Sequence, residues 1–171
     1  MDALKSKIRH VPDFPKAGIL FYDVTTLLRD AEGFRIAIDA LTNPYQDRGI
    51  SLVVGIESRG FILGAAVADR LGAGFVPVRK VGKLPSTTVK VSYDLEYGSD
   101  SLEMHSDAIE PGQRVLIVDD LLATGGTARA TVDLVKQLGG HVEGVTVLIE
   151  LLELNGRARL TDADVFAVLQ Y

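Results

Sequence analysis

At 171 residues, with 47% hydrophobic residues and no cysteine, the chain has the size and apolar content of one globular domain that needs no disulfide or thiolate-bound metal. Lys and Arg total 18 against 23 Asp and Glu, a net charge of −5. That balance argues against general nucleic-acid binding, so an anionic ligand must be held by a local feature. The first residues lack the apolar core of a signal peptide, and no apolar run is long enough to cross a bilayer; the chain reads as soluble and cytoplasmic, with no membrane partner.

In chain order, residues 4–9 read as a short helix, followed by a Pro- and Gly-punctuated segment over 12–18. Residues 33–43 carry Phe34, Ile36, Ala37, Ala40 and Leu41 at helical spacing. Residues 52–56 read as a strand, and 61–71 as a helix stopped by Gly72. Residues 75–79 form the next expected strand. Residues 86–103 mix polar and aromatic side chains and read as a mobile two-stranded excursion from the main sheet; a solvated surface hairpin is the simpler alternative. A strand is expected over 115–119, and a helix over 127–138 with Ala128, Val132, Val135 and Leu138 on one face, ended by Gly139-Gly140. Further strands are expected over 142–151 and 165–169. Strands alternating with helices imply an α/β fold, a mostly parallel sheet with helices on both faces.

The most informative run is Val115 to Thr127. Four strand residues deliver two adjacent carboxylates, Asp119 and Asp120, then Leu121-Leu122, then the small-residue loop Ala123-Thr124-Gly125-Gly126-Thr127 opening onto a helix. Backbone N–H groups in such a loop converge on one anion, and the helix N-terminus adds partial positive charge. No Lys follows the glycines, so this is not a Walker A loop, and it is not GxGxxG. A phosphate in the loop with hydroxyls or a partly hydrated magnesium ion at the carboxylates describes a sugar phosphate. The run resembles the phosphoribosyl-pyrophosphate signature of the type I phosphoribosyltransferases at every position.

Four more segments resemble the adenine branch of that family: Phe14-Pro15-Lys16-Ala17-Gly18-Ile19-Leu20-Phe21 with Asp23; Gly55-Ile56-Glu57-Ser58-Arg59-Gly60-Phe61; Arg79-Lys80-Val81-Gly82-Lys83-Leu84-Pro85, leading to Tyr93 and Leu95-Glu96-Tyr97-Gly98; and Leu169-Gln170-Tyr171. The resemblance covers nearly the whole chain. It implies the type I fold as a single domain over residues 1–171, a mostly parallel twisted sheet flanked by helices, with an N-terminal base-binding hood (1–30) and a mobile two-stranded lid (82–106).

The resemblance also implies an activity, the magnesium-dependent transfer of a phosphoribosyl group from 5-phosphoribosyl 1-pyrophosphate to adenine, giving AMP and pyrophosphate. The 5′-phosphate is expected on Ala123, Thr124, Gly125, Gly126 and Thr127, with Asp119 and Asp120 on the ribose hydroxyls. Glu57, Ser58, Arg59, Lys80 and Lys83 are expected on the pyrophosphate side. A basic residue of that region, Arg79 being the candidate, is implied to reach the neighbouring subunit of a homodimer. Adenine is expected against Leu20, Phe21, Tyr22, Arg59 and Ala123. Glu96 is implied to handle a base proton. Magnesium is expected to be carried by substrate and water, with no direct protein ligand.

Each residue also has a plainer physical reading. Phe21 either stacks on a planar base or anchors the N-terminal loop on the core. Tyr22 stands where the family's familiar pattern has Arg; this matters little if the backbone makes the contact. Arg59 alone is as readily a surface ion pair. Arg79, Lys80 and Lys83 make a local basic patch suited to pyrophosphate, or a solvated cluster. A single loop glutamate such as Glu96 is by itself usually solvated. His10, His105 and His141 show no ligand spacing. Two other functions compete: transfer to an oxopurine, and a regulator that binds the sugar ligand without catalysis. The segment from Phe14 to Asp23 argues against the first, and the absence of a strongly basic stretch against the second.

Overall fold

The structure, a computed structural model, describes residues 2–94 and 98–171. In chain order these form α1 (Asp2–Lys5), β1 (Arg9–Pro12), β2 (Leu20–Asp23), α2 (Thr25–Leu28), α3 (Ala31–Thr42), β3 (Leu52–Ile56), α4 (Arg59–Leu71), β4 (Gly74–Lys80), β5 (Thr88–Asp94), β6 (Ser99–His105), β7 (Arg114–Leu122), α5 (Gly126–Gln137), β8 (His141–Glu150) and β9 (Val165–Gln170). Seven strands make one sheet in the order β5-β6-β4-β3-β7-β8-β9. The run from β4 through β3, β7 and β8 to β9 is parallel, and β6 joins β4 antiparallel. β1 and β2 pair separately as an antiparallel ribbon.

Strand alternation sends neighbouring side chains to opposite faces, each covered by a helix. Val53, Leu116 and Val118 pack with Leu63, Val67 and Ala68 of α4. Val54, Val115 and Ile117 pack with Val132, Leu134 and Val135 of α5. Burying one such side chain contributes about 1.5–3 kcal/mol. Helix α4 sits unusually close to β3: a Cβ on Gly55 would lie 2.6 Å from the Phe75 ring and 2.9 Å from the Gly60 carbonyl oxygen. Beyond β3 the chain crosses to β4 on one side; beyond β7 it crosses to β8 on the other. The connections therefore part between β3 and β7, and the crevice outside their carboxyl ends is where an open α/β sheet takes its ligand.

The parallel core follows the expected pattern apart from the length of β7, and the periphery departs from it at the N-terminal ribbon and at β5 and β6. The expected helix over 4–9 stops at Lys5, because Arg9 starts β1 and pairs with Asp23 of β2. The Pro/Gly segment is the bend of that ribbon, where the Asp13 carboxylate accepts the Gly18 N–H at 2.8 Å. Strands of four residues carry too short an alternation to be read locally. The signature strand runs on past Asp119 to Leu122, since pairing with β8 continues through Leu122 and Glu150. Finally, the two strands expected in 86–103 are present, but they are not an excursion from the main sheet. β6 pairs with β4 through Arg79–Glu103 and Lys80–Leu102, which extends the sheet by two strands.

Candidate active site

The loop after β7 is built from backbone. Gly125 has φ +82, a left-handed conformation that only glycine adopts without strain, and α5 begins at Gly126, one residue before the expected start. The first N–H groups of α5 have no partner within the helix, and Gly126, Thr127 and Ala128 line the cavity. A Cβ on Gly125 would overlap the carbonyl oxygen of Gly156, and one on Gly156 would overlap that of Ala123. The loop is thus fixed by direct packing of backbone on backbone. With Glu57, Ser58, Arg59, Asp119 and Asp120 it encloses a cavity of about 300 Å³.

Both carboxylates face that cavity. Asp120 is only 6% exposed and accepts a hydrogen bond from Arg59 Nε. Asp119 accepts the Asp120 N–H at 2.8 Å. Desolvation first, then the neighbouring Asp120 charge, push the Asp119 carboxyl well above the usual carboxylate range. A Cβ on Gly60 would lie 2.9 Å from Asp119 Oδ1, so the glycine at the start of α4 lets this acid sit against the β3–α4 turn. Burial works against the Arg59 charge, but the hydrogen bond and charge of Asp120 outweigh it and hold the guanidinium firmly protonated. Arg59, its side chain 40% exposed, forms its ion pair with the buried Asp120 and lines two neighbouring cavities.

The cations at the end of β4 and in the turn beyond it are already engaged. Glu57 accepts from the Lys80 N–H at 3.0 Å, Arg79 Nε at 3.3 Å and Lys83 Nζ. Burial would raise its carboxyl, but the bonds from Lys83, Lys80 and Arg79 hold it below the usual range. Glu57 thus gathers cations instead of facing an anion itself. Lys80 Nζ pairs with Asp100 at 3.1 Å. Glu103, 2% exposed, accepts the N–H groups of Gly82 (2.9 Å), Lys83 (3.1 Å) and Leu84 (3.2 Å). It also accepts from the Thr88 hydroxyl at 3.2 Å, and so pins the turn that carries Lys83. Ser58 makes no capping bond to α4 and lines the cavity.

A second cavity of about 760 Å³ lies under the β1–β2 ribbon, lined by Val11, Phe14, Phe21, Asp23 and Arg59 among others. The Phe21 ring meets Phe14 edge-on at 5.1 Å, and the Arg59 guanidinium stands 5.9 Å from its centroid. Tyr22, next along β2, turns to the other side and packs on Tyr171 (4.2 Å) and His10 (5.1 Å). Leu20 is 44% exposed at the ribbon's edge. Ala123 lies in the first cavity, so of the expected base residues Arg59 alone lines both. Glu96 lies outside the described residues. Sequence reasoning missed Gly156, Asp100 and Glu103. The Asn155-Gly156 pair signals a turn, but nothing local tells where that turn packs.

A family profile described as a phosphoribosyl transferase domain matches residues 23–168. The chain belongs to the phosphoribosyltransferase family. It is thereby an enzyme of the glycosyltransferase class, and its relatives lie in the adenine branch of that family. The adenine phosphoribosyltransferase of Acidobacterium capsulatum is 64% identical over 170 residues, 99% of this chain and 94% of the relative. The crystal structure of the Rhodothermus marinus adenine phosphoribosyltransferase superposes with a TM-score of 0.96 at 58% identity, covering 99% of this chain and 97% of that one. The Saccharomyces cerevisiae enzyme, complexed with an imino-altritol bisphosphate and adenine, superposes with a TM-score of 0.93 at 44% identity, covering 98% and 97%. The phosphoribosyltransferase fold thus agrees with the layered sheet and the switch point described above.

Proposed function

We propose that this phosphoribosyltransferase transfers the phosphoribosyl group of 5-phosphoribosyl 1-pyrophosphate to adenine with magnesium, releasing AMP and pyrophosphate. The observation that carries the proposal is the position of Arg59, which touches the aromatic cavity of the hood and the acid pair of the loop cavity. A planar base under Phe21 then abuts a ribose at Asp119 and Asp120, with its 5′-phosphate on residues 123–127. The naming of close relatives as adenine enzymes supports adenine over an oxopurine.

In the reaction the bond from ribose C1′ to pyrophosphate oxygen breaks and a bond to adenine N9 forms. N9 gives up its proton, for which Glu96 is the proposed acceptor. Asp119 and Asp120 hold the ribose hydroxyls and favour positive charge building at C1′. Arg79, Lys80 and Lys83 exchange their carboxylate partners for pyrophosphate, with Ser58 at the cavity wall. Of the segment 82–106, the part beyond its pairing with β4 is proposed to close over the site and keep water from the activated sugar. The carboxylate oxygens of Asp119, Asp120 and Glu57 at the cavity are hard donors that would suit a hydrated magnesium ion held through its waters. When bound, that ion neutralises the leaving group. Two copies are proposed to associate, with Arg79 the candidate to reach the neighbouring site.

The test is a product assay with magnesium and phosphoribosyl pyrophosphate, offering adenine, hypoxanthine, guanine and xanthine in turn. AMP from adenine alone is the expected result. Turnover of an oxopurine instead overturns the base assignment, and binding of the sugar ligand with no turnover of any base overturns the enzyme reading.

A further inference from the structure

The segment that follows β8 lies across the carboxyl ends of β7 and β8. Leu151 donates its N–H to the Leu122 carbonyl at 2.9 Å, and Leu152 donates to the Tyr171 carbonyl at 2.9 Å. Two short 3-10 turns follow, 152–154 and 156–159, joined by Asn155 at φ +47. That left-handed residue delivers Gly156 against the backbone of Ala123 and Gly125, so closely that neither Gly125 nor Gly156 has room for a Cβ. Arg159 of the same segment reaches the outer side of Gly126, its Nη1 being 3.7 Å from where a Cβ would stand.

The next residue, Arg157, ties the segment down. Its Nε and Nη2 donate to the two carboxylate oxygens of Glu150 at 2.9 and 2.6 Å. Glu150 ends β8, is 3% exposed, and also accepts from Gln170 Nε2 at 3.1 Å. The fork geometry holds the guanidinium in one orientation. Its hydrogen bond to Arg157 keeps the Glu150 carboxyl below the usual range against the effect of burial. Among the described residues the two side chains hydrogen-bond only each other, the Val165 carbonyl and Gln170, none of which lines the loop cavity, and the reaction as described has no use for them.

We propose that Glu150, Gly156 and Arg157 are positioning residues for the phosphate loop. The bidentate pair fixes the 152–159 turns, and the Gly156 backbone then sets the height and tilt of residues 123–125, so that their N–H groups converge on one phosphate. A loop held only by its own glycines would sample many conformations, and its affinity for phosphate would fall with the fraction of time spent in the converging one. The inference rests on the reading of 123–127 as a phosphate loop.

The experiment compares Gly156→Ala and Arg157→Lys with the parent protein and with Gly112→Ala, a positive-φ glycine that has open space around it and lies at the opposite end of β7. Ribose 5-phosphate binding is measured by calorimetry, and KM for phosphoribosyl pyrophosphate and for adenine by AMP formation, well below the melting temperature of each variant. Gly156→Ala and Arg157→Lys are expected to weaken ribose 5-phosphate about tenfold or more and to raise KM for phosphoribosyl pyrophosphate in step, with KM for adenine changed less than about twofold. Gly112→Ala is expected to lower the melting temperature and leave both affinities alone. Should Gly156→Ala fail to fold, Arg157→Lys, which keeps the charge and nearly the volume, decides. Parent-like ribose 5-phosphate affinity in the folded variants overturns the proposal, as does an equal loss in Gly112→Ala. A parent protein that makes no AMP yet binds ribose 5-phosphate refutes the reaction, not the brace; one that binds no ribose 5-phosphate refutes the brace as well.

Discussion

The loop after β7 and the basic segment at the end of β4, both proposed to bind anionic groups, are made of different materials. Residues 123–127 contain no cation, only small residues whose backbone is wedged against Gly156. That segment carries Arg79 and Lys80 at the end of β4 and Lys83 in the turn beyond it, all three paired with Glu57 or Asp100, and the turn is wrapped around the carboxylate of Glu103. In the proposed reaction the loop is ready-made: a phosphate would meet the first N–H groups of α5, which have no partner within the helix. The turn must trade one anion for another, so its net gain is the difference between two ion pairs in partly screened surroundings. Affinity at the loop should therefore depend on volume and backbone angle, and at the turn on charge and salt.

The largest effect that would break this contrast is Gly125→Val. A branched side chain at φ +82, aimed at the Gly156 carbonyl, should cost phosphoribosyl pyrophosphate binding about a hundredfold or more. Normal affinity by calorimetry would remove the loop from the site. Next comes Asp119→Asn, expected to lower turnover about tenfold or more while raising stability. The Asp119 carboxyl is raised in the folded protein, so its contribution to stability is present while it is protonated and is lost as pH rises through its folded pKa. The variant should match the parent in acid and exceed it at neutral pH, in denaturant melts; a gap that stays constant with pH contradicts the burial argument.

Glu103→Gln keeps the shape and removes the charge that three N–H groups point at. A loss of about 1–3 kcal/mol is expected, with weaker pyrophosphate binding and unchanged ribose 5-phosphate binding. Equal losses for both ligands would erase the division between turn and loop. A smaller effect should come from salt: raising ionic strength should weaken pyrophosphate more steeply than ribose 5-phosphate, because the turn's cations are partly exposed. The smallest is Tyr22→Phe, whose side chain packs on Tyr171 and His10; adenine KM should move less than about twofold, and a large change would put Tyr22 in the base site.

Legibility followed the same divide. The parallel core, the helix stopped by Gly72 and the acid pair with its loop could all be read from local pattern, because strand run, turn chemistry and helix start are contiguous there. The β1–β2 ribbon could not, since each strand is four residues long and finds its partner across a Pro-containing bend. The extension of the sheet by β5 and β6 was half visible: the hairpin could be anticipated, its pairing with β4 could not. Glu103 and Glu150 gave no local signal, because a glutamate in a strand reads as solvated until the partners that desolvate it are known.

The amino-acid sequence by itself determined the layered α/β fold, the backbone loop and its two carboxylates, and through resemblance the family. Those features depend on neighbours within a few residues, where steric preference and hydrophobic period act directly. Only the tertiary structure decided that Arg59 joins the aromatic cavity to the acid pair, that Tyr22 packs on Tyr171 and not beside Phe21, and that Gly156 packs against the backbone of residues 123 and 125. Each of these joins residues dozens of positions apart, through contacts whose strength comes from burial and charge pairing that exist only once the sheet has assembled.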